Sequence, residues 1–200
     1  VLLTLLVGAI GFGGMFAVYT YITTTLTERT GVDESLVPLY LFFWGAGMVC
    51  GNLVGGRFID RAVLPTLSWG LAAFAVALGA FSVLSLNPYA AAVGVFVLGN
   101  VLLLGPALQT RLMDVAGEAQ TLAATMNHAS FNTANALGAW LGSLVLAAGW
   151  GYGAPSLVGA GLAVLGVGVA VASALLELRA SAAAAPVAPA DPAAGTPARR

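Results

Sequence analysis

Lysine is absent from this 200-residue chain, and charged residues of either sign make up only 8% of it. Soluble domains carry about 25%. Without lysine there is no P-loop to grip a nucleotide's phosphates, so the chain holds no ATP-driven motor. One histidine and one cysteine, His128 and Cys50, cannot make a metal cluster of the usual spacing, and neither metal nor cofactor is expected. The single thiol has no internal disulfide partner and says nothing about redox compartment. A formal net charge of -1 offers no basic surface to nucleic acid. Aspartate and glutamate fall only in connections or near the ends of apolar runs. No embedded acid, serine–lysine or histidine–aspartate set is left for intramembrane catalysis, and the chain does not read as an enzyme.

What fills the chain is apolar. Hydrophobic residues reach 60%, gathered into six stretches of roughly twenty residues or more between Val1 and Leu178. A helix crosses a hydrocarbon core in about 20 residues and satisfies its own backbone on the way. The stretches predict spans over 2–26, 36–57, 66–86, 89–112, 122–148 and 155–176, joined by short links. Such links make consecutive helices antiparallel neighbours. The expected fold is all-α: a polytopic membrane helical bundle of six transmembrane helices over residues 1–178. Residues 179–200, rich in alanine and proline, read as a disordered tail that cannot bury a core. The first stretch has no basic leader and no small-residue cleavage site, and Val1 is not a natural start, so the sequence reads as a portion of something longer.

Arginine placement sets the orientation. Arg57, Arg61, Arg111 and Arg179 collect on one side, while only Arg29, beside Glu28, Asp33 and Glu34, falls on the other. Both termini and the tail are therefore expected in the cytoplasm.

Glycine supplies the packing logic, because helices in lipid associate through close backbone approach at small residues. Gly47, Gly51 and Gly55 repeat every four residues on the second span, and Gly138 and Gly142 on the fifth. Gly105-Pro106 falls midway along the fourth span, where proline's missing N–H predicts a kink, either purely structural or beside a transport path.

Polar residues inside the spans are the candidates for chemistry. Asn127, His128, Asn132 and Asn135 crowd the fifth span. At 100° per residue, His128, Asn132 and Asn135 share an arc of about 60°, with Asn127 off the stripe. This face is expected to point into the bundle, either lining a solute cavity or bonding to neighbouring helices. His128 is the one residue there that could carry a proton near neutral pH. Asn100 on the fourth span and Tyr19 and Tyr21 on the first are weaker cavity candidates; at most one tyrosine can face a given cavity. Gln109 on the fourth span is another weaker cavity candidate, or, near the span's end, simply interfacial. On the cytoplasmic side, Gly56, Arg57, Asp60 and Arg61 form a glycine-led charged segment whose ion pairs could be broken and remade as helices rock. Arg111 and Asp114, at i and i+3, offer a second such pair.

Gly56-Arg57-Phe58-Ile59-Asp60-Arg61 resembles the loop signature of the major facilitator superfamily, Gly-x-apolar-x-Asp-Arg, as it recurs in the second half of those proteins. It departs by continuing Ala62-Val63-Leu64 in place of Gly-Arg-Arg. Gln109-Thr110-Arg111-Leu112-Met113-Asp114, Asn127-His128-Ala129-Ser130-Phe131-Asn132 and Asn135-Ala136-Leu137-Gly138 are similar to arabinose-efflux-permease-like and chloramphenicol-efflux members, twelve-span drug:proton antiporters. The resemblance runs from Val1 to about Leu178. It implies the C-terminal half of an exporter in a bacterial inner membrane, built as two inverted three-helix repeats, with the N-terminal six-span half as partner. It also implies a drug or sugar-like substrate, protons as coupling ion, and a proton-binding carboxylate in the other half. A stand-alone six-span assembly protein and an uptake carrier of the same fold remain the alternatives.

Overall fold

The structure, a computed structural model, describes the backbone over residues 1–59, 63–100 and 104–183, with side chains over 1–57, 63–100 and 104–179. Asp60 and Arg61 lie outside the described residues, as does 184–200. The architecture is an all-α membrane helical bundle, and no strand occurs among the described residues.

The first apolar segment is interrupted. It runs as α1 (Leu2–Leu6), a wide π turn at Val7–Gly11, α2 (Gly13–Tyr19), α3 (Ile22–Thr24) and a second π turn at Thr25–Arg29. Glycines permit the first wide turn at a crowded crossing: a Cβ on Gly8 would come within 2.6 Å of Ser130 Oγ, and one on Gly166 within 2.6 Å of Gly11 Cα. Gly31, at φ +74°, turns the chain toward α4 (Val37–Ile59). Asp33 caps the 3₁₀ turn before α4 by accepting the Ser35 amide at 2.9 Å. Then follow α5 (Val63–Leu84), α6 (Pro88–Gly99), α7 (Leu104–Ala116), α8 (Gln120–Ala147) and α9 (Ala154–Ala183). Asn87 accepts the Tyr89 and Ala90 amides at the start of α6, with Pro88 in the first turn, where its missing N–H is no loss.

Five stretches are long and apolar enough to cross a membrane, and the fourth, Pro88–Ala147, is 60 residues. That stretch reverses at Gly117 (φ +54°), so α6 and α7 form one limb and α8 the other, with α7 packed on α8. The kink expected at Gly105-Pro106 falls at the start of α7, and the residues before it, 101–103, lie outside the described residues. One detail departs from the sequence reading: the last helix runs to Ala183, past the expected start of the tail at 179, because its alanine-rich end favours helix.

Packing follows a simple rule. Taking the segments in order as first (Leu2–Arg29), second (α4), third (α5), fourth (α6–α7), fifth (α8) and sixth (α9), the first packs most closely on the fifth and sixth and the third on the sixth, followed by second with fourth and third with fourth. Exchanging the first three segments with the last three leaves this list unchanged. Consecutive helices alternate in direction, so an exchange by three inverts each segment: these are two inverted three-helix repeats.

The interior is filled from α5 by Leu71, Phe74, Leu78 and Phe81, against Leu98, Leu104 and Leu108. The outside is equally apolar. Trp69, Val76, Val83, Leu53 and Phe42 are all more than 65% exposed, a surface that lipid rather than water must cover.

Candidate functional site

The polar stripe of α8 does not point into this bundle. His128, Asn132 and Asn135 are exposed, together with Thr125, Ala129, Thr133 and Ala136 on the same side. The buried member of the group is Asn127, at 5% exposure, which periodicity set aside. Its side-chain amide donates to Gln109 Oε1 on α7, so Gln109 is an interhelical partner rather than an interfacial residue. The reason is geometric. Ala123, Asn127, Ser130, Ala134, Gly138 and Gly142 form the face that α8 buries, and small side chains there let the first segment approach. Ser130 Oγ donates to the Leu5 carbonyl at 2.7 Å, and a Cβ on Gly138 would fall inside the Gly13 carbonyl oxygen. The larger polar stripe is left on the opposite face.

The two tyrosines separate as the 200° between them requires. The Tyr21 hydroxyl donates to the Ala139 carbonyl at 2.7 Å and ties the first segment to α8. Tyr19 is half exposed, its ring 5.5 Å from that of Trp44. Asn100 turns its amide back on the Phe96 carbonyl at 2.9 Å, while its own backbone is pressed by Gly51 of α4. Gly47 and Gly99 complete that crossing, each leaving no room for a Cβ beside the opposing carbonyl.

Of the charged candidates, Arg111 pairs with Glu177 on α9 and not with Asp114, which is exposed. The i+3 spacing makes a local pair possible, but the Arg111 side chain reaches the carboxylate of the distant α9 instead. Arg57 is exposed, and a Cβ on Gly56 would meet open space, so this glycine does not draw the helix end onto a neighbour. Among the described residues no group of three His, Cys, Asp or Glu could hold a metal ion.

Sequence reasoning used Arg29 only to set orientation, yet it is the centre of a network. Its Nε donates to Ser85 Oγ at 3.0 Å and its Nη2 to the Ser82 carbonyl at 2.8 Å. Thr30 Oγ1 donates to the Ser85 carbonyl at 2.7 Å, and Thr25 Oγ1 to the Tyr152 carbonyl at 3.1 Å. A Cβ on Gly153 would come within 2.6 Å of the guanidinium carbon. The first segment is thereby fixed to the end of α5 and to the turn before α9. The signal available in the sequence was a lone arginine on the cation-poor side, level with four hydroxyl residues, Thr25, Thr30, Ser82 and Ser85. Nearby, the Ser35 hydroxyl and then its amide hold the Asp33 carboxyl below the usual carboxylate range.

No protein-family model matches the chain. It is 39% identical over 169 residues to the inner membrane transport protein YdhP of Escherichia coli K12, covering 82% of this chain and 43% of that protein. It is 31% identical over 147 residues to the uncharacterized MFS-type transporter YfhI of Bacillus subtilis, covering 73% of this chain and 37% of the relative. With the chloramphenicol resistance protein of Streptomyces lividans the identity is 32% over 152 residues, 76% of this chain and 38% of the relative. The chain spans about two-fifths of the length of the curated relatives it matches.

Proposed function

Because the chain belongs to the major facilitator superfamily, we propose that it is the C-terminal half of a secondary-active carrier that exports a drug-like or sugar-like small molecule in exchange for protons. The observation that carries this reading is the uncovered polar face of α8. His128, Asn132 and Asn135 stand outside the bundle while the rest of its exposed surface is dominated by large apolar side chains. Polar groups turned to hydrocarbon are costly, so this face meets water or a second bundle. A partner half on that side closes a cavity between two walls, and rocking of one wall against the other gives alternating access. The spans described here carry no central acid, so the proton-binding carboxylate belongs to the partner half. Export rather than uptake is favoured by the name of the Streptomyces lividans relative.

Both termini lie in the cytoplasm in this reading, since three of the four arginines at span ends within the described side chains, Arg57, Arg111 and Arg179, fall on one side. The test uses the full-length protein in proteoliposomes with an imposed pH gradient and chloramphenicol as the transported probe. Proton-driven accumulation is expected, with Asn132→Leu and Asn135→Leu changing which solutes are carried while insertion stays normal. His128→Gln leaves the pH dependence unchanged, because the carboxylate elsewhere does the proton binding. Flux indifferent to the gradient, or asparagine variants that lose protein in proportion to flux, would overturn the reading. Orientation is checked separately: with Cys50 replaced, a cysteine at Asp33 labels from outside intact cells and one at Glu118 does not.

A further inference from the structure

The first and second segments are consecutive in the chain, yet α2 and α4 barely touch. Between them lies a cavity of about 290 Å³, walled by Met15, Phe16 and Tyr19 on one side and Trp44, Gly45 and Met48 on the other. Ligand sites begin at about 300 Å³, which suits a molecule of two or three fused rings.

Three features mark this space as a site rather than loose packing. A Cβ on Gly45 would meet nothing within 4 Å, whereas those on Gly47 and Gly51 of the same helix would collide with opposing backbone. Gly45 is therefore not demanded by helix contact, and its missing side chain leaves the cavity floor open. The Trp44 indole N–H has no acceptor among the described residues, yet its nitrogen is not sequestered, so an acceptor seated in the cavity can reach it. Such an acceptor adds a hydrogen bond that no protein group already supplies. Finally, the rings of Tyr19 and Trp44 stand 5.5 Å apart at 60°, open toward the space between the two helices. Met15 and Met48 add polarizable sulfurs that adapt to an aromatic edge. Among the described residues no charged side chain lines the cavity, so an ionic guest would be desolvated without a counter-charge.

We propose that this cavity binds an uncharged, planar aromatic solute bearing a carbonyl-type acceptor, its rings against Tyr19 and Trp44 and its acceptor on the Trp44 indole N–H. Binding itself requires no flux; only the solute's passage across the membrane rests on the carrier reading above.

The test is equilibrium binding of 6-propionyl-2-dimethylaminonaphthalene, an uncharged two-ring ketone, to the full-length protein in nanodiscs, read as tryptophan-to-probe energy transfer above protein-free nanodiscs. Saturable binding is expected. Gly45→Leu, which fills the floor, weakens it at least about 30-fold, and Gly45→Ala, a milder filling that open space accommodates, weakens it a few-fold. Trp44→Phe keeps a ring and loses the donor, weakening binding about five-fold. Gly161→Leu, at another open position, leaves it unchanged. Absence of saturable binding, or affinities for Gly45→Ala and Trp44→Phe equal to the parent's, means that lipid or the partner half fills the space and overturns the proposal. Equal competition by tetraphenylphosphonium overturns the uncharged class. Binding without gradient-driven flux of the same ketone counts against the carrier reading alone, whereas flux insensitive to Gly45→Leu counts against the cavity alone.

Discussion

The two ends of the bundle are closed by the same connection made of different material. At one end Arg29, leaving the first segment, reaches the end of the third; at the other Arg111, near the end of the fourth, reaches the end of the sixth. The exchange of repeats carries one clamp onto the other. Yet Arg29 is held by a serine hydroxyl and a backbone carbonyl, acceptors on a short side chain and on the helix itself, with Gly153 packed against its plane. Arg111 is held by Glu177, a long side chain that is 47% exposed, and its Nε has no partner among the described residues. An ion pair that water and salt can reach is worth little and opens readily, whereas charged hydrogen bonds to fixed acceptors persist. Symmetric backbone packing therefore leaves open which end is stiff; the choice of acceptor decides it.

The shared scaffold is the part to break first. Gly47 and Gly138 each face an opposing carbonyl oxygen at equivalent crossings, second on fourth and first on fifth. Valine at either site should cost more than about 3 kcal/mol, beyond ordinary overpacking because backbone cannot yield as a side chain can. Monodisperse protein on size-exclusion chromatography should be lost in both variants; if only one is affected, the two crossings are not equivalent.

Next comes the difference between the clamps. Arg29→Lys should lower stability by about 2–4 kcal/mol, since a point donor cannot serve Ser85 and Ser82 together. Arg111→Gln should cost no more than about 1 kcal/mol, and that loss should disappear in high salt. Thermal unfolding in detergent with and without salt measures both, and equal losses would remove the distinction.

A smaller effect separates what α8 turns inward from what it turns outward. Asn127→Leu should cost about 1–2 kcal/mol by stranding Gln109, while Asn132→Leu should leave stability unchanged. Reversed results would put the stripe back inside this bundle. Smallest is the cap at Asp33, whose lowered carboxyl value makes its contribution complete above the usual carboxylate range and lost as pH falls through that lowered value. Asp33→Asn should flatten this acid-side dependence, lowering the melting temperature slightly at neutral pH and leaving it unchanged below the lowered value.

Much of this was legible in the sequence because the bilayer imposes one solution on long apolar runs, and Gly47, Gly51, Gly138 and Gly142 declared the crossings by spacing alone. The π turn at Val7–Gly11 was not legible, since it arises where the first segment packs on α8 and α9. Periodicity found that His128, Asn132 and Asn135 share a face. It could not say whose interior that face serves, because a stripe toward one's own bundle and a stripe toward another look alike in sequence. The partner of Arg111 was missed for a related reason: Glu177 lies 66 residues away, and only the fold makes it nearer than Asp114.

The Arg29 network also has an order in time. Its guanidinium is made 53 residues before the Ser82 carbonyl and 56 before Ser85. At bacterial synthesis rates of about 5–20 residues per second, that cation waits roughly 3–10 seconds for its acceptors, with the turn at Gly153 later still. During that interval water at the membrane surface serves the guanidinium and this end of the first segment stays unclamped, so slowing translation between Arg29 and Ser85 should lengthen the unclamped period.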